Sequence, residues 1–309
     1  HINDTHPAMS ILELMRILID VYDYTWEKAW GIVAKTVSYT NHTVMPEALE
    51  QWPEALFAGL LPRLHSILKE INRRNNEELT YAYPENERLR NEMAIILNER
   101  IRMANLCVAA SHTVNGVSAL HSGIIREKLF HGYARMNPVK FTSVTNGIAY
   151  RRWLCQSNPK LADFIEELCG PGFRKNSMEL ESLLKYKEDR AALEKLAQIK
   201  RENKLRLAEY IKYNNNIIVN PDSIFDVQVK RLHEYKRQLL NLIHIIDLYN
   251  KIKENPDIEM QPRTFIFGAK AAAGYYMAKQ IIRLACKLSE QLEKDPAVRD
   301  RIKIVFLEN

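Results

Sequence analysis

Hydrophobic side chains recur every three or four residues through most of the first half of the chain. That period is typical of amphipathic helices, which pack one face against a core. We predict helices over residues 7–19, 25–37, 54–74 and 87–103. Residues 104–150 lose the period and contain turn-forming pairs such as Asn115-Gly116, so this part is predicted to be more irregular.

The pattern changes after residue 216, where short apolar runs alternate with amphipathic stretches. The runs predict strands and the stretches predict helices. The predicted strands lie at residues 217–219, 225–229, 264–267 and 302–307. The predicted helices lie at residues 232–252 and 271–292. A β-α-β-α-β series of this kind indicates a parallel sheet with its ligand site at the carboxyl ends of the strands.

The composition is that of an ordinary globular protein. Hydrophobic residues make up 46% and charged residues 27% of the 309 positions, which argues against a disordered or fibrous chain. No apolar run reaches the roughly 18 residues of a membrane span, so no membrane association is expected. The net charge of +6 permits an anionic partner without requiring one, since basic and acidic side chains are interspersed.

The four cysteines are widely spaced and lack a C-x-x-C pair. We predict reduced thiols and therefore a cytoplasmic location. The nine histidines do not cluster with cysteine or carboxylate at the spacing of metal ligands, so no metal site is predicted. The chain starts at His1 and ends with an apolar strand, and we expect it to be part of a longer protein.

The densest candidate site follows the strand predicted at residues 225–229. It combines four cations with the expected free N–H groups of a helix start, two features that bind phosphate. The cations are Lys230, Arg231, Lys236 and Arg237. Arg231 can hold an oxyanion through two N–H groups, while Lys230 and Lys236 act as point charges. The alternative is a solvated basic turn or a basic run of the nuclear-localisation kind.

Other segments carry weaker signals. Residues 267–275 resemble a dinucleotide fingerprint only loosely, and close packing of a helix on the sheet explains their small side chains better. His42 lies among polar residues before a helix predicted to start near Pro46, and it is either structural or catalytic. The remaining polar candidates, for which a helix cap or a turn is the alternative role, are Asp4, His6 and Asn146.

Seven segments resemble the α-glucan phosphorylase family, which includes glycogen, starch and maltodextrin phosphorylases. They are NDTHPAMSILELMRIL, YTNHTVMPEALEQWP, SHTVNGVSALHS, FTSVTNGIAYRRWL, DVQVKRLHEYKRQLLN, GAKAAAGYYMAK and IVFLEN. These long strings occur in order over the whole chain, so the resemblance is far more specific than any single basic motif.

The resemblance implies an α/β protein with two Rossmann-like domains that face a catalytic cleft. Residues 1–147 would be the C-terminal part of the amino-terminal domain. Residues 148–309 would be the first part of the carboxy-terminal domain, which binds pyridoxal phosphate. The family carries its Schiff-base lysine beyond the point that matches Asn309, so no lysine of this chain is expected to anchor the cofactor. The chain alone is therefore expected to be inactive.

The implied activity is phosphorolysis. Family members cleave the terminal α-1,4 bond of a glucan with inorganic phosphate and release glucose 1-phosphate with retention of configuration. The phosphate group of their pyridoxal phosphate assists proton transfer. The resemblance therefore implies a cytoplasmic homodimer that acts on phosphate and α-1,4-glucan, without a nucleic-acid partner.

The resemblance also implies residue roles. Arg231 would hold the substrate phosphate, with Lys230 and Lys236 beside the cofactor phosphate. Catalytic roles are thus expected for Arg231 and Lys236, and also for His42, whose backbone carbonyl would face the positive charge that develops on the sugar.

Four further residues are implied to bind the glucan. Tyr235 and Asn146 would form hydrogen bonds with glucosyl hydroxyls. Asp4 and His6 would line the neighbouring channel.

The chain departs from the family pattern at two turns. Ala149-Tyr150 stands where the family has Thr-Pro, and Ala269 and Ala273 stand where relatives often have Gly and Pro. Both changes alter the stiffness of a loop. They bear on the positions of Asn146 and of Tyr275, which matches a ligand-stacking aromatic of some relatives.

Two other functions stay open at the level of sequence. A nucleotide-sugar glycosyltransferase of similar architecture would need an acidic or aromatic grip on the nucleoside after a strand of the second domain. A helical nucleic-acid-binding or scaffold protein would use the net positive charge and the basic run at residues 230–237.

Overall fold

The computed structural model describes residues 1–45 and 49–308, so the helix start predicted near Pro46 lies outside the described residues. The chain divides into two compact units, His1–Ile148 and Ala149–Asn309. Both units combine helices with a parallel β-sheet. The prediction of a mixed, helix-rich α/β protein is therefore confirmed.

The first unit is built mainly from helices and very short strands. In chain order they are β1 (Ile2–Asn3), α1 (Met9–Arg16), α2 (Trp26–Thr36), β2 (Tyr39–Thr40), β3 (Gln51–Pro53), α3 (Glu54–Leu60), α4 (Pro62–Ala82), α5 (Glu87–Met93), β4 (Ile96–Leu97), β5 (Arg100–Arg102), α6 (Met103–Ala110), β6 (Val114–Gly116), α7 (Ala119–Ile124), α8 (His131–Met136) and β7 (Phe141–Ser143).

Two small sheets organise this unit. The first is parallel, with the order β1-β2-β6-β7, and the second is antiparallel, with the order β3-β5-β4. Helix α6 has almost no polar face and is buried on nearly every side, as expected of a helix that is hydrophobic all round. It contributes to the main core together with α1, α2 and α4.

Two helix predictions in this unit are wrong at their boundaries. The helix predicted over residues 54–74 is interrupted between α3 and α4, because Leu61 precedes Pro62 and the residue before a proline disfavours helical geometry. The helix predicted over residues 87–103 ends at Met93. Asn98 and Glu99 both adopt positive φ angles there, which turn the chain back into the antiparallel pair β4 and β5.

The second unit contains longer elements. In chain order they are α9 (Pro159–Cys169), α10 (Arg190–Asn215), β8 (Ile224–Val229), α11 (Gln238–Glu254), β9 (Arg263–Ala269), α12 (Tyr276–Lys294) and β10 (Ile302–Glu308). None of the helices in residues 1–45 and 49–308 is long and apolar enough to cross a membrane.

The three strands of this unit form a parallel sheet with the order β10-β9-β8, as predicted. Different helices pack against its two faces. Phe265 and Phe267 belong to the core formed with α11 and α12, whereas Ile266 belongs to a cluster with Ile211 of α10. Because successive side chains of a strand point to opposite faces, helices cover both faces of β9.

Three predictions for this unit need correction. Residues 217–219 form irregular structure instead of a strand, although Val219 is buried. Helix α11 begins at Gln238 instead of residue 232, and α12 begins at Tyr276 instead of residue 271. Because α11 and α12 begin later than predicted, a loop follows the carboxyl end of β8 and another follows the carboxyl end of β9. These two loops carry the candidate site.

Candidate functional site

The basic loop, residues 230–237, connects the carboxyl end of β8 to α11. Its first part continues the pairing of the sheet, because the Lys230 N–H donates to Gly268 O at 3.1 Å and the Leu232 N–H donates to Lys270 O at 3.1 Å. The expectation that free backbone N–H groups accompany the cations is therefore wrong for these two residues. Anion binding here depends on the side chains.

Side-chain amides brace the same loop. The Gln238 Nε2 group donates to Arg231 O at 3.1 Å, and the Gln228 Nε2 group donates to Lys236 O at 3.0 Å. Asn241 Nδ2 donates in turn to Gln228 Oε1 at 3.0 Å. Gln238 is only 1% exposed. The backbone of the loop is thus held from β8 and α11 while its cations project outward.

The cations divide between two pockets. Arg231 and Lys270 line one of about 510 Å³, and Lys230 and Arg237 line another of about 640 Å³. Lys236 lines both. Consecutive residues of an extended chain face opposite ways, which separates Lys230 from Arg231. The single cluster predicted from the sequence is therefore two adjoining groups of cations that share Lys236.

These cations form no ion pairs with the described residues, although Asp226 lines the pocket of Lys230 and Arg237. None of the ion pairs among the described residues includes the five basic side chains of the two pockets, and all but Lys236 are exposed or nearly so. Unpaired cations placed together repel one another, and an anion removes that repulsion. The arrangement can therefore hold phosphate oxygens on either side of Lys236.

An aromatic group borders the pocket of Arg231. The rings of His233 and Tyr235 lie 4.5 Å apart and those of His233 and Tyr275 lie 5.3 Å apart, measured between centroids. The Tyr275 hydroxyl donates to Glu234 Oε2 at 2.5 Å. Tyr235 is 52% exposed. Its side chain is therefore accessible beside the cations.

The loop ends in a strained residue. Arg237 has φ 63° and ψ 30°, the left-handed region, at the residue immediately before α11. For a side chain with a Cβ atom this conformation costs about 1 kcal/mol. The conformation lets the chain turn from the short 3₁₀ turn Glu234–Lys236 into α11, and Arg237 stays in the pocket that Lys230 lines.

Residues 267–275 form the carboxyl end of β9 and the loop after it. A side chain at Gly268 would approach Val229 to 3.2 Å, so the glycine allows close contact between neighbouring strands. Lys270 and Tyr275 from this segment line the pocket of Arg231. The close contact is therefore between two strands and not between a helix and the sheet, and the loop joins the basic site.

A second group of candidates lies in the first unit, at the carboxyl ends of its parallel strands. Asn41 is fully buried, and its Oδ1 atom accepts from the Thr43 N–H at 3.1 Å. His121 Nδ1 accepts from the Val117 N–H at 3.1 Å, so neutral His121 carries its hydrogen on Nε2 and donates to Asn41 Oδ1 at 3.1 Å. Burial, and then the nearby His42, lower the pKa of His121.

This network fixes the segment that carries His42. Asn41 Nδ2 donates to the buried Tyr39 hydroxyl at 3.1 Å, and His42 Nε2 lies 2.6 Å from Asn3 Oδ1. Thr40 Oγ1 donates to Asn115 Oδ1 at 2.7 Å and ties β2 to β6. His42 itself is exposed. Its position is thus set by the buried Asn41 before it and by its contact with Asn3.

Asp4 and His6 follow β1 at the same edge of the sheet. Asp4 has φ 57°, and its Oδ1 atom accepts from the Thr5 N–H at 3.1 Å. The predicted N-cap role is wrong, because α1 begins at Met9 after Ala8 and has no side-chain cap. His6 is exposed.

Asn146 also belongs to the first unit. Its backbone N–H donates to Val117 O at 3.0 Å, which ties it to the segment that positions His121. Its side chain is exposed, and no described residue forms a hydrogen bond with it. The amide is therefore available to a ligand.

Sequence reasoning missed four polar residues that these sites contain. They are Asn41, Asn115, His121 and Lys270. Each lies close to the carboxyl end of a parallel strand. For Lys270 that strand was predicted from the sequence, so its position could have indicated the site. The short strands β2 and β6 offered no comparable signal for the other three. No group of three or more histidine, cysteine or acidic side chains among the described residues is arranged to hold a metal ion.

The family model described as "Carbohydrate phosphorylase" matches residues 1–309. The chain is 48% identical over 312 aligned positions to "Glycogen phosphorylase, muscle form" of Mus musculus and to "Glycogen phosphorylase, brain form" of Bos taurus. It is 47% identical to the muscle form of Homo sapiens.

In each of these comparisons the alignment covers 100% of this chain and 37% of the relative. The chain therefore spans little more than a third of the length of the curated relatives that it matches. The matches do not favour the nucleotide-sugar glycosyltransferase or the nucleic-acid-binding alternative.

Proposed function

Since the chain belongs to the carbohydrate phosphorylase family, we propose that the protein to which it contributes cleaves terminal α-1,4 bonds of a glucan with inorganic phosphate. The product is glucose 1-phosphate, formed with retention of configuration. The observation that carries the proposal is the pair of pockets around Lys236, whose cations have no carboxylate partner among the described residues. Phosphate chemistry needs such fixed positive charge.

In this proposal the two units are Rossmann-like domains that face a catalytic cleft. Residues 1–147 complete the amino-terminal domain, and residues 148–309 begin the carboxy-terminal domain that binds the cofactor. Parallel strands with helices on both faces of β9 support this assignment for the second unit. The whole protein is proposed to be a cytoplasmic homodimer, a typical arrangement in this family.

The two pockets suggest how two phosphate groups are kept apart. Arg231 is proposed to hold the substrate phosphate through paired N–H groups. Lys230 is proposed to contact the cofactor phosphate from the other pocket. Lys236 lines both pockets, so a single ammonium group can offset the repulsion between the two anions.

Pyridoxal phosphate is the cofactor that the family implies, and the residues present fit its phosphate group. Lys230, Lys236 and Arg237 line one pocket, and no ion pair of the described residues neutralises them. When bound, the cofactor supplies a phosphate group that exchanges a proton with the substrate phosphate. Lys230 and Lys236 are proposed to act on it through charge, and no lysine of this chain is proposed as its covalent anchor.

The first unit is proposed to bind the glucosyl group. Cleavage of the glycosidic bond develops positive charge on the sugar ring, and the backbone carbonyl of His42 is proposed to face that charge. The network of Asn41 and His121 holds this segment, and burial lowers the pKa of His121, which favours its neutral form.

The remaining roles concern the sugar hydroxyls and the channel. Tyr235 and Asn146 are proposed to form hydrogen bonds with glucosyl hydroxyls, and both side chains are exposed. Asp4 and His6 are proposed to line the neighbouring channel, and both lie at the carboxyl end of β1.

The test is Arg231→Ala in the full-length protein. We expect kcat/KM for phosphorolysis to fall by at least about 100-fold, which corresponds to about 2.7 kcal/mol of transition-state stabilisation. The midpoint of unfolding and the cofactor absorbance should not change, because no described residue forms an ion pair with Arg231.

The control is Arg283→Ala. Arg283 lies exposed on α12 and has no ion pair among the described residues, so its removal subtracts the same charge at a distance from the pockets. Its activity should stay within about twofold of the parent protein. Near-normal turnover of Arg231→Ala would remove the assignment of the phosphate site.

A further inference from the structure

Lys270 is a cation of the candidate site that the roles proposed above leave unused. It lies in the loop after β9, whereas Arg231 and Lys236 belong to the basic loop after β8. All three side chains line the same pocket of about 510 Å³. A further positive charge therefore enters the pocket of Arg231 from a neighbouring strand.

The pairing of β8 with β9 places Lys270 beside Arg231. This pairing continues past the ends of both strands, because the Lys230 N–H donates to Gly268 O at 3.1 Å. The Leu232 N–H then donates to Lys270 O, also at 3.1 Å. In a parallel ladder these two bonds make Arg231 and Lys270 partners across a gap of about 4.8 Å between strands. The register of the sheet therefore brings the two cations to one face.

Two cations in this position repel each other unless an anion lies between them. Neither Arg231 nor Lys270 forms an ion pair with a described residue. The carboxylate of the basic loop, Glu234, accepts from the Tyr275 hydroxyl. No described acidic side chain lines this pocket, whereas Asp226 lines the pocket of Lys230. An anionic ligand is therefore the group that relieves the repulsion.

The number of cations matches the charge of a phosphate group. A phosphate monoester carries a charge of about −1.5 to −2 at pH 7. Lys236 lines both pockets, and the other pocket has two cations of its own, Lys230 and Arg237. Without Lys270, Arg231 would be the single unshared cation opposite the substrate phosphate. With Lys270, each pocket has two unshared cations and a share of Lys236.

Small side chains next to Lys270 leave room for the ligand. Ala271 and Ala272 line the same pocket. Leu232 also lines it and is only 4% exposed, so part of the wall is apolar. Charges beside an apolar wall interact more strongly than charges surrounded by water. The small residues after β9 therefore favour close approach of an anion to the Lys270 ammonium group.

We propose, on the basis of the proposed phosphorolysis, that Lys270 is a further ligand of the substrate phosphate. The Arg231 guanidinium and the Lys270 ammonium contact different oxygens of the same phosphate group. Lys236 lies between this phosphate and that of the cofactor. Lys270 thereby increases the affinity for a doubly charged phosphate group and has no part in binding the glucan.

The test is Lys270→Met in the full-length protein with its cofactor bound. KM for inorganic phosphate should rise at least about tenfold, while KM for maltodextrin should stay within about twofold of the parent value. The midpoint of unfolding should stay the same or rise, because the substitution removes a repelling charge. Lys270→Arg keeps the charge and should hold KM for phosphate within about threefold of the parent value.

The matched control is Lys294→Met. Lys294 is exposed at the last turn of α12, about 27 Å along the helix from its first residue, and forms no ion pair with a described residue. Salt screens surface charges over roughly 8–10 Å. Both KM values should therefore stay within about twofold of those of the parent protein.

Calorimetric titration of the full-length protein with inorganic phosphate separates this role from the proposed phosphorolysis. A tenfold loss of phosphate affinity in Lys270→Met, in a protein that does not cleave glucan, would support the role of Lys270 and overturn the proposed function. Normal phosphorolysis by the parent protein, with unchanged KM for phosphate in Lys270→Met, would overturn the role of Lys270 alone.

Two other results would also overturn the role of Lys270. A lower midpoint of unfolding in Lys270→Met, with equal rises in both KM values, would show that the residue supports the fold. A parent protein that neither binds inorganic phosphate at millimolar concentration nor cleaves glucan would contradict both the role of Lys270 and the proposed function.

Discussion

The carboxyl ends of the two parallel sheets carry different chemistry. In the first unit, Asn41 and His121 form an uncharged network in which every polar atom of the Asn41 side chain has a partner. In the second unit, the backbone of the basic loop is paired while its cations are not. The carboxyl edge of the first unit's parallel sheet, called the first edge, therefore contributes to stability. The carboxyl edge of the second unit's sheet, the second edge, keeps its positive charge available for a ligand.

Asn41→Leu gives the largest expected change in stability. It would leave the buried Tyr39 hydroxyl and the partly buried Thr43 N–H and His121 Nε2–H without their partner. We expect a loss of about 3–5 kcal/mol in the free energy of unfolding, measured by urea denaturation of the full chain.

The matched control for this change is Asn91→Leu, at an exposed position of α5. It should shift the free energy of unfolding by less than about 0.5 kcal/mol. Equal effects of the two variants would mean that the network at the first edge does not hold the unit together.

Lys140→Met has the next largest expected effect, and it concerns pH. Lys140 resembles the cations of the second edge because it is unpaired, yet it is mostly buried in the first unit. Its pKa is about 8 in the folded state and 10.5 in the reference state. The unfolded chain therefore binds more protons between these values, and stability rises with pH across this window.

We expect Lys140→Met to abolish this rise, which is roughly 3 kcal/mol. The measurement is urea denaturation at a series of pH values between 7 and 11, with Lys69→Met, at an exposed position of α4, as the control that keeps the rise. A rise of the same size in Lys140→Met would show that another group causes it.

Gln238→Leu is expected to change stability least. It removes two hydrogen bonds to the basic loop but also removes the buried Oε1 atom, which has no partner among the described residues. The net loss should stay below about 1 kcal/mol. Amide hydrogen exchange in residues 230–237 should nevertheless become faster, because the loop loses its brace.

A loss of several kcal/mol in Gln238→Leu would contradict the contrast between the two edges. It would show that the basic loop supports the fold of its unit as strongly as Asn41 supports the first one.

The second sheet could be predicted from sequence because its strands have six or seven residues, most of them apolar, and are long enough to show a pattern. The strands of the first parallel sheet have two or three residues. No period is visible at that length. The first sheet was therefore missed, and with it the alignment of Asn41, Asn115 and His121.

The candidate site could be predicted only in part. The charges of Lys230 to Arg237 stand out in the sequence, so the loop was found. Lys270 joins Arg231 only because β8 and β9 pair side by side, and the hydrogen bond of His121 to Asn41 spans 80 residues. Such contacts depend on tertiary packing that neither segment specifies alone.

Position 237 meets two opposite requirements, because its backbone has a positive φ angle and its side chain supplies a cation. Glycine or asparagine would adopt its positive φ angle more easily, but either would remove a cation from the pocket of Lys230. A library randomised at residue 237 and screened for heat tolerance should accumulate Gly and Asn. The same library, placed in the full-length protein and screened for the proposed phosphorolysis, should return arginine.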